Sequence, residues 1–260
     1  MLVPMFYLVA RAFDADAATL SQIVFRWRNL VLLGNTLLLT ASVLIATTVI
    51  ALPLAWLVTR SDLRFKGLHS ILGVLPLAVP GYVMAYALIG LSGYYGFASQ
   101  LLGLRLPRPE GLWGAALALS LYTFPYLFLN LRSAFLGLDP ALEESARCLG
   151  RSPWNSFRTV LLPHLTPALL AGWLVIALYV AGDFGVIALM RYEVFSYAIY
   201  TQYSAAFDRV YAAWLSLMLM TVTLSFILLE ARLRKGRYVR TGKGTPRKPA
   251  IVPLGRLRPV

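Results

Sequence analysis

The sequence predicts an all-α, polytopic membrane protein of about six transmembrane helices, the first of them incomplete, with one structured loop on the cytoplasmic side. Three observations carry that prediction. The 260 residues are 59% hydrophobic and only 13% charged, with a mean hydropathy of +0.69, whereas a soluble domain carries about a quarter charged residues. Apolar runs of about 20 residues, enough to cross a hydrocarbon core of roughly 30 Å, recur along the chain. Most Lys and Arg residues fall in the short stretches between these runs or in the tail.

Residues 1–13 are apolar but too few to cross as a helix, hold Arg11, and lack the charged start and cleavage site of a signal peptide. They read as the end of a first span whose start is missing or lies elsewhere. Residues 31–58, 68–92, 112–131, 165–190 and 210–229 each have the length and apolarity of a span. Residues 1–231 therefore form a membrane domain. Residues 232–260, rich in Gly, Pro and basic side chains, cannot bury a core and form a tail or linker.

The net charge of +13, from 24 Lys and Arg against 11 Asp and Glu, would suggest nucleic acid in a soluble protein. Its placement points instead to membrane orientation. Loop 59–67 (Arg60, Arg64, Lys66), loop 132–162 (Arg132, Arg147, Arg151, Arg158) and the tail together hold seventeen basic residues, and the opposite side holds seven. The positive-inside rule places the first set, and both termini, in the cytoplasm. The tail supplies ten of the seventeen, and anionic headgroups hold each such residue with roughly 1 kcal/mol. One cysteine, Cys148, excludes an intrachain disulfide, and with only His69 and His164 no Cys/His metal cluster forms. No cofactor is expected. No His, Cys or paired carboxylates converge within the spans, which argues against an enzyme.

Loop 132–162 carries helix punctuation rather than disorder. Asp139 is a helix N-cap with Pro140 at the first helical position, and Gly150 suits the left-handed residue that ends that helix. Ser152 and Pro153 start a second helix, which Pro163 is expected to stop.

Within the loop stand Glu144-Ser145-Ala146, three residues, Gly150, nine residues, then Val160-Leu161-Leu162-Pro163. This resembles the EAA motif of ABC importer permeases: Glu-Ala-Ala, three residues, Gly, nine residues, Ile, any residue, Leu-Pro. Ser145 stands for Ala and Val160 for Ile. The five identities at fixed spacing arise by chance in roughly one such chain in a thousand. The resemblance implies a pair of coupling helices that docks in a groove of a separate nucleotide-binding subunit and moves as a rigid lever when that subunit closes on ATP. The ATPase-coupling residues are then Glu143, Glu144, Ser145, Ala146, Arg147, Gly150, Leu162 and Pro163. Small side chains allow close backbone approach, and Glu144 and Arg147 can make charge-assisted contacts. The chain has no Walker-type phosphate loop, so ATP binding falls to another polypeptide.

Further stretches are similar to the ferric-iron subfamily of these permeases: Gly34-Asn35-Thr36-Leu37, Leu75 through Tyr82, Leu121 through Tyr126, Asp183-Phe184-Gly185 and Tyr200-Thr201-Gln202-Tyr203. Members commonly fuse two halves in one chain, and this sequence resembles the first half plus the linker. The resemblance implies an importer in a prokaryotic inner membrane, with ferric iron delivered by an extracytoplasmic binding protein. A second permease half, self or another chain, completes the path. Relatives carry thiamine, polyamines, sulfate or molybdate, and these stand as alternative cargoes. A secondary transporter or channel without an ATPase is the competing class.

Asp183 is the one carboxylate inside an apolar run, costly there unless it meets water, a partner or a cavity. It reads either as a path residue or as a carboxylate at a helix break, paired to Arg191 or to backbone N–H groups. Tyr82 and Pro125 are the other candidate path residues, since a broken backbone at membrane depth is tolerated where it lines a cavity or lies inside protein. Packing kinks are the competing account of the prolines. Many of the 14 tyrosines fall near span ends, where aromatic belts place them, and are not assigned as iron ligands.

Overall fold

A computed structural model describes residues 2–14, 17–204, 208–235 and 251. Its ordered elements are all helical: α1 (Leu2–Ala12), α2 (Ala17–Val24), α3 (Trp27–Arg60), α4 (Lys66–Val74), a 3-10 turn (Leu75–Ala78), α5 (Gly81–Leu91), α6 (Phe97–Leu102), α7 (Gly111–Gly137), α8 (Pro140–Cys148), α9 (Pro153–Ser156), a π turn (Phe157–Leu161), α10 (Leu162–Gly182), α11 (Gly185–Met190), α12 (Phe195–Ser204) and α13 (Arg209–Arg234). No strand occurs among the described residues.

Among the described residues, four helical stretches are long and apolar enough to cross a membrane: Ser21–Arg60, Gly111–Gly137, Trp154–Gly182 and Arg209–Arg234. A fifth candidate is a broken pair, Lys66–Ala78 with Gly81–Leu91. The predicted first span is the eleven-residue α1, too short to cross. Most of the predicted tail, 236–250 and 252–260, lies outside the described residues.

Three expectations are corrected. The predicted span 68–92 is not one helix, because Pro80 has no N–H to give, sits at ψ 141° and pushes Val79 out of the helical region. The predicted span 165–190 ends at Gly182, and a new helix starts at Gly185. Pro163 does not stop a helix. A π turn precedes it and takes up the missing N–H, so Pro163 falls at the second residue of α10 and the helix runs on. Short helices α2, α6 and α12 were not expected.

The chain divides into two compact units. One comprises residues 1–46, 79–122 and 177–227. In its core Leu32, Phe195, Tyr211 and Leu215 are buried. Asn29, 5% exposed, is fully used: its Nδ2 donates to the Ile23 carbonyl at 2.8 Å and the Val24 carbonyl at 3.0 Å, and its Oδ1 accepts from the Tyr211 hydroxyl at 2.8 Å. Asn35 donates to the Glu193 carbonyl at 2.8 Å, and Thr36 Oγ1 accepts from the Phe195 N–H at 3.3 Å. Those two residues of α3 thus tie down the turn between α11 and α12.

The other unit comprises the described residues of 47–78, 123–176 and 228–260. Phe128, Leu131, Phe135 and Leu165 are fully buried in it. In lipid, burial of apolar surface supplies little drive for helix association, so small residues that allow close approach matter more. A Cβ on Gly73 would meet the Phe128 ring at 2.9 Å, and one on Gly172 would meet Leu127 at 2.6 Å. These glycines let α4 and α10 close on α7. Trp173 Nε1 adds an interhelical hydrogen bond to Thr48 Oγ1 at 2.8 Å.

Candidate functional site

The predicted loop is a built structure of two capped helices. The Asp139 carboxylate accepts from the Ala141 N–H at 2.9 Å, satisfying one of the free donors at the start of α8. At the other end Gly150 has φ +76°, and the Arg151 N–H reaches back to the Ala146 carbonyl at 3.2 Å. That is the Schellman closure of a helix, which needs a left-handed residue at the Gly150 position. Nothing lies within 4 Å of where a Gly150 Cβ would stand. The glycine is therefore required for conformation, and the space beside it is open. Ser152 Oγ then accepts from the Asn155 N–H at 3.3 Å to cap α9. Arg151 Nη1 donates to Thr159 Oγ1 at 2.6 Å, bracing the turn against the π segment.

Both ends of the loop are fixed. At its entry Arg60, 2% exposed, donates through Nη2 to the Phe135 carbonyl at 3.1 Å, near the C-terminus of α7. At its exit α9, the π turn and α10 form one helical stretch from Trp154 to Gly182.

Of the predicted coupling residues, Glu144, Ser145 and Gly150 are exposed, Leu162 is half-buried and Pro163 is exposed at the start of α10. Ala146 is different. It is 5% exposed, so its methyl packs inward rather than presenting a docking surface. Glu143 and Arg147 lie in α8, but their side chains fall outside the described part. Two exposed apolar residues escaped the sequence reading, Leu149 at 79% and Trp154 at 71%. Their signal was available: large apolar side chains flanking Gly150 in an otherwise polar loop. Arg60 was seen only as an orienting charge, since nothing local marks it as a helix cap.

The candidate path residues divide between the units. In the first unit Asp183 follows the end of α10, and its Oδ1 accepts from the Val186 N–H at 2.9 Å. Its carboxylate thus serves the first turn of α11, as the backbone-paired reading expected, while Arg191 ends α11 at φ 54°. Ser196 Oγ donates to the Asp183 carbonyl at 2.7 Å. Tyr82 stands beside this break, because a Cβ on Gly185 would lie 3.2 Å from the Tyr82 Cβ. Aromatic rings line the same region: Phe184 and Tyr200 have centroids 4.2 Å apart, and Tyr122 and Tyr179 meet edge to face at 5.0 Å. Pro125 belongs to the other unit and is buried within α7.

Comparison with known proteins gives a consistent picture. The family described as "Binding-protein-dependent transport system inner membrane component" matches residues 48–235. The chain is 29% identical over 248 residues to the Fe(3+)-transport system permease protein FbpB 2 of Haemophilus influenzae, covering 95% of this chain and 46% of that protein. The chain therefore spans less than half the length of that relative. It is 30% identical over 188 residues to the sulfate transport system permease protein CysT of Salmonella typhimurium, covering 72% of this chain and 68% of the relative. A molybdenum transport system permease protein, ModB of Azotobacter vinelandii, is 29% identical over 158 residues, 60% of this chain and 70% of its own. Among solved structures, a chain of a bacterial alginate ABC transporter, in complex with an alginate-bound periplasmic protein, superposes with a TM-score of 0.72 at 18% identity, covering 90% of this chain and 88% of the other. A chain of the MetNI methionine ABC transporter gives 0.63 at 18% identity, covering 92% and 100%. At that identity the structures bear on the fold alone.

Proposed function

Because the chain belongs to the family of binding-protein-dependent transport system inner membrane components, we propose that it is one permease half of an ATP-driven importer in the inner membrane of a prokaryote. The observation that carries this reading is the motif-spaced loop, built as a capped helix with Gly150 in its left-handed position. Its exposed face, Glu144, Ser145, Leu149 and Trp154, is the surface offered to a separate ATPase subunit. Anchorage at Arg60 and continuity into α10 make the loop a stiff handle. A push on it is carried along α10 toward its end at Gly182. The chain contributes no chemistry of its own; the ATPase supplies energy, a binding protein delivers cargo, and a second permease half closes the path.

Ferric iron is the proposed cargo, supported by the 95% coverage of this chain by the Fe(3+) permease relative. Sulfate or molybdate is the second reading, favoured by the CysT and ModB relatives. Asp183, Tyr82 and the aromatic groups around the α10–α11 break are proposed to face the path. An ATPase-independent transporter remains the contrary class, and it leaves the loop spacing without a role.

The test is affinity purification in mild detergent, identification of the bound subunits, and reconstitution into vesicles. ATP-dependent uptake of ferric iron from a binding protein is expected. Uptake without nucleotide or partner overturns the permease reading. ATP-dependent uptake of sulfate or molybdate in place of iron keeps that reading and changes the cargo.

A further inference from the structure

A groove of about 550 Å³ runs between the α4 segment and α7 in the second unit, lined chiefly by Ile71, Leu75, Leu77, Phe128 and Leu129, with Ser70 and Arg132 also on its wall. It exists because Gly73 lets α4 close on the Phe128 ring, which forms its floor, while the larger neighbours Ile71 and Leu75, 64% and 55% exposed, stand out along its side. Arg132 is the one charged residue of the lining. It is half-buried, and its Nε is shielded from solvent with no hydrogen-bond partner among the described residues. Lys66 stands one helical turn before Ser70 on the same face of α4 and adds a second cation near the groove. Arg132 lies on the last turns of α7, the end that leads into α8, and the basic-residue count puts that end on the cytoplasmic side.

The geometry points to a binding site for one anionic phospholipid of the cytoplasmic leaflet, its phosphate held by Arg132 and one acyl chain lying in the groove. The match is one of charge and shape. The Arg132 guanidinium on the groove wall calls for an anionic acceptor, and its planar fork suits phosphate oxygens in particular. Apart from Ser70, whose hydroxyl donates to the Lys66 carbonyl at 2.9 Å, the wall beyond it is apolar and fits a hydrocarbon chain. Basic pockets between membrane helices on the cytoplasmic side hold anionic headgroups for the same reason. The inference is independent of which cargo the chain carries.

The test uses the purified full chain with its copurifying subunits, delipidated in mild detergent and titrated with phosphatidylglycerol, phosphatidylcholine or inorganic phosphate, with bound lipid counted by native mass spectrometry. Phosphatidylglycerol is expected to bind at least about tenfold more tightly than phosphatidylcholine. Arg132→Ala should erase that preference, and Arg132→Lys should keep most of it. Leu129 is 39% exposed, so Leu129→Trp fills the groove without entering the core and should lower retention of both lipids. Equal phosphatidylglycerol binding by Arg132→Ala and the parent chain overturns the site, as does unchanged binding by Leu129→Trp. Displacement by equimolar inorganic phosphate overturns the lipid assignment. So does cross-linking of Ile71→Cys, in a Cys148→Ser background, to a second permease half in native membranes, because protein would then cover the groove.

Discussion

Arg60 at the end of α3 donates its guanidinium to the Phe135 carbonyl on α7 at 3.1 Å, and the same Nη2 lies 3.5 Å from the Leu138 carbonyl. A cation at a helix C-terminus meets carbonyls left without intrahelical donors and the negative end of the helix dipole. The next helix after this contact is α8. Arg60 thereby fixes the direction in which the chain enters the capped loop.

Arg60→Ala should therefore loosen the loop as well as the fold. Loss of a charge-assisted bond to buried carbonyls costs about 1.5–3 kcal/mol, which lowers the melting temperature by roughly 3–10 °C. ATP-driven uptake should fall further than membrane abundance does. A melting curve and an uptake assay on the same preparation check both; an unchanged melting temperature would remove Arg60 from this role.

Gly150 tests conformation against bulk. Its neighbourhood is open and its φ is +76°, so Gly150→Asn, which tolerates the left-handed region, should retain most ATPase binding. Gly150→Val should cost about 1–3 kcal/mol at that backbone and release α8 from its closure. Copurification of the ATPase with each variant is the measurement. Equal loss in both variants would mean that bulk at the docking face, rather than the turn, decides.

At Asp183 the cap and the charge can be separated. Asp183→Asn keeps an oxygen for the Val186 N–H, whereas Asp183→Ala removes it at about 1 kcal/mol. We expect Asp183→Asn to assemble normally and transport more slowly, and Asp183→Ala to lose stability as well. Transport by Asp183→Asn at the parent rate would leave the carboxylate with the capping role alone.

Gly73 reports on packing of the second unit. Its Cβ would stand 2.9 Å from the Phe128 ring, so Gly73→Val forces α4 away from α7 at about 1–3 kcal/mol. Pairing it with Phe128→Leu should recover part of the loss. A double-mutant cycle on thermal unfolding reads the coupling, and strict additivity would show that the two do not meet.

Much of the membrane fold was legible because hydropathy and length act locally: α3, α7, α10 and α13 each contain an apolar run of spanning length. The loop caps were legible for the same reason. Asp139 and Gly150 act on backbone within five residues of themselves, and the motif spacing from Glu144 to Pro163 needs no distant partner. Helix breaks were legible as residues but not as outcomes. Pro80 broke a span, Pro125 stayed inside a helix, and Pro163 was absorbed by a π turn, because neighbouring backbone decides where a missing N–H can be tolerated.

By itself the sequence determined that this chain is a helical membrane protein with a capped loop of permease spacing, since those properties follow from local hydrophobicity, chain length and backbone preference. Only the tertiary structure decided that Ala146 faces inward, that Arg60 holds the end of α7, that Tyr82 stands at the Asp183 break and that Arg132 closes an apolar groove. The last three join residues far apart in the chain, and which side chains meet across helices depends on rotation and close approach at positions such as Gly73 and Gly185, which no local pattern encodes.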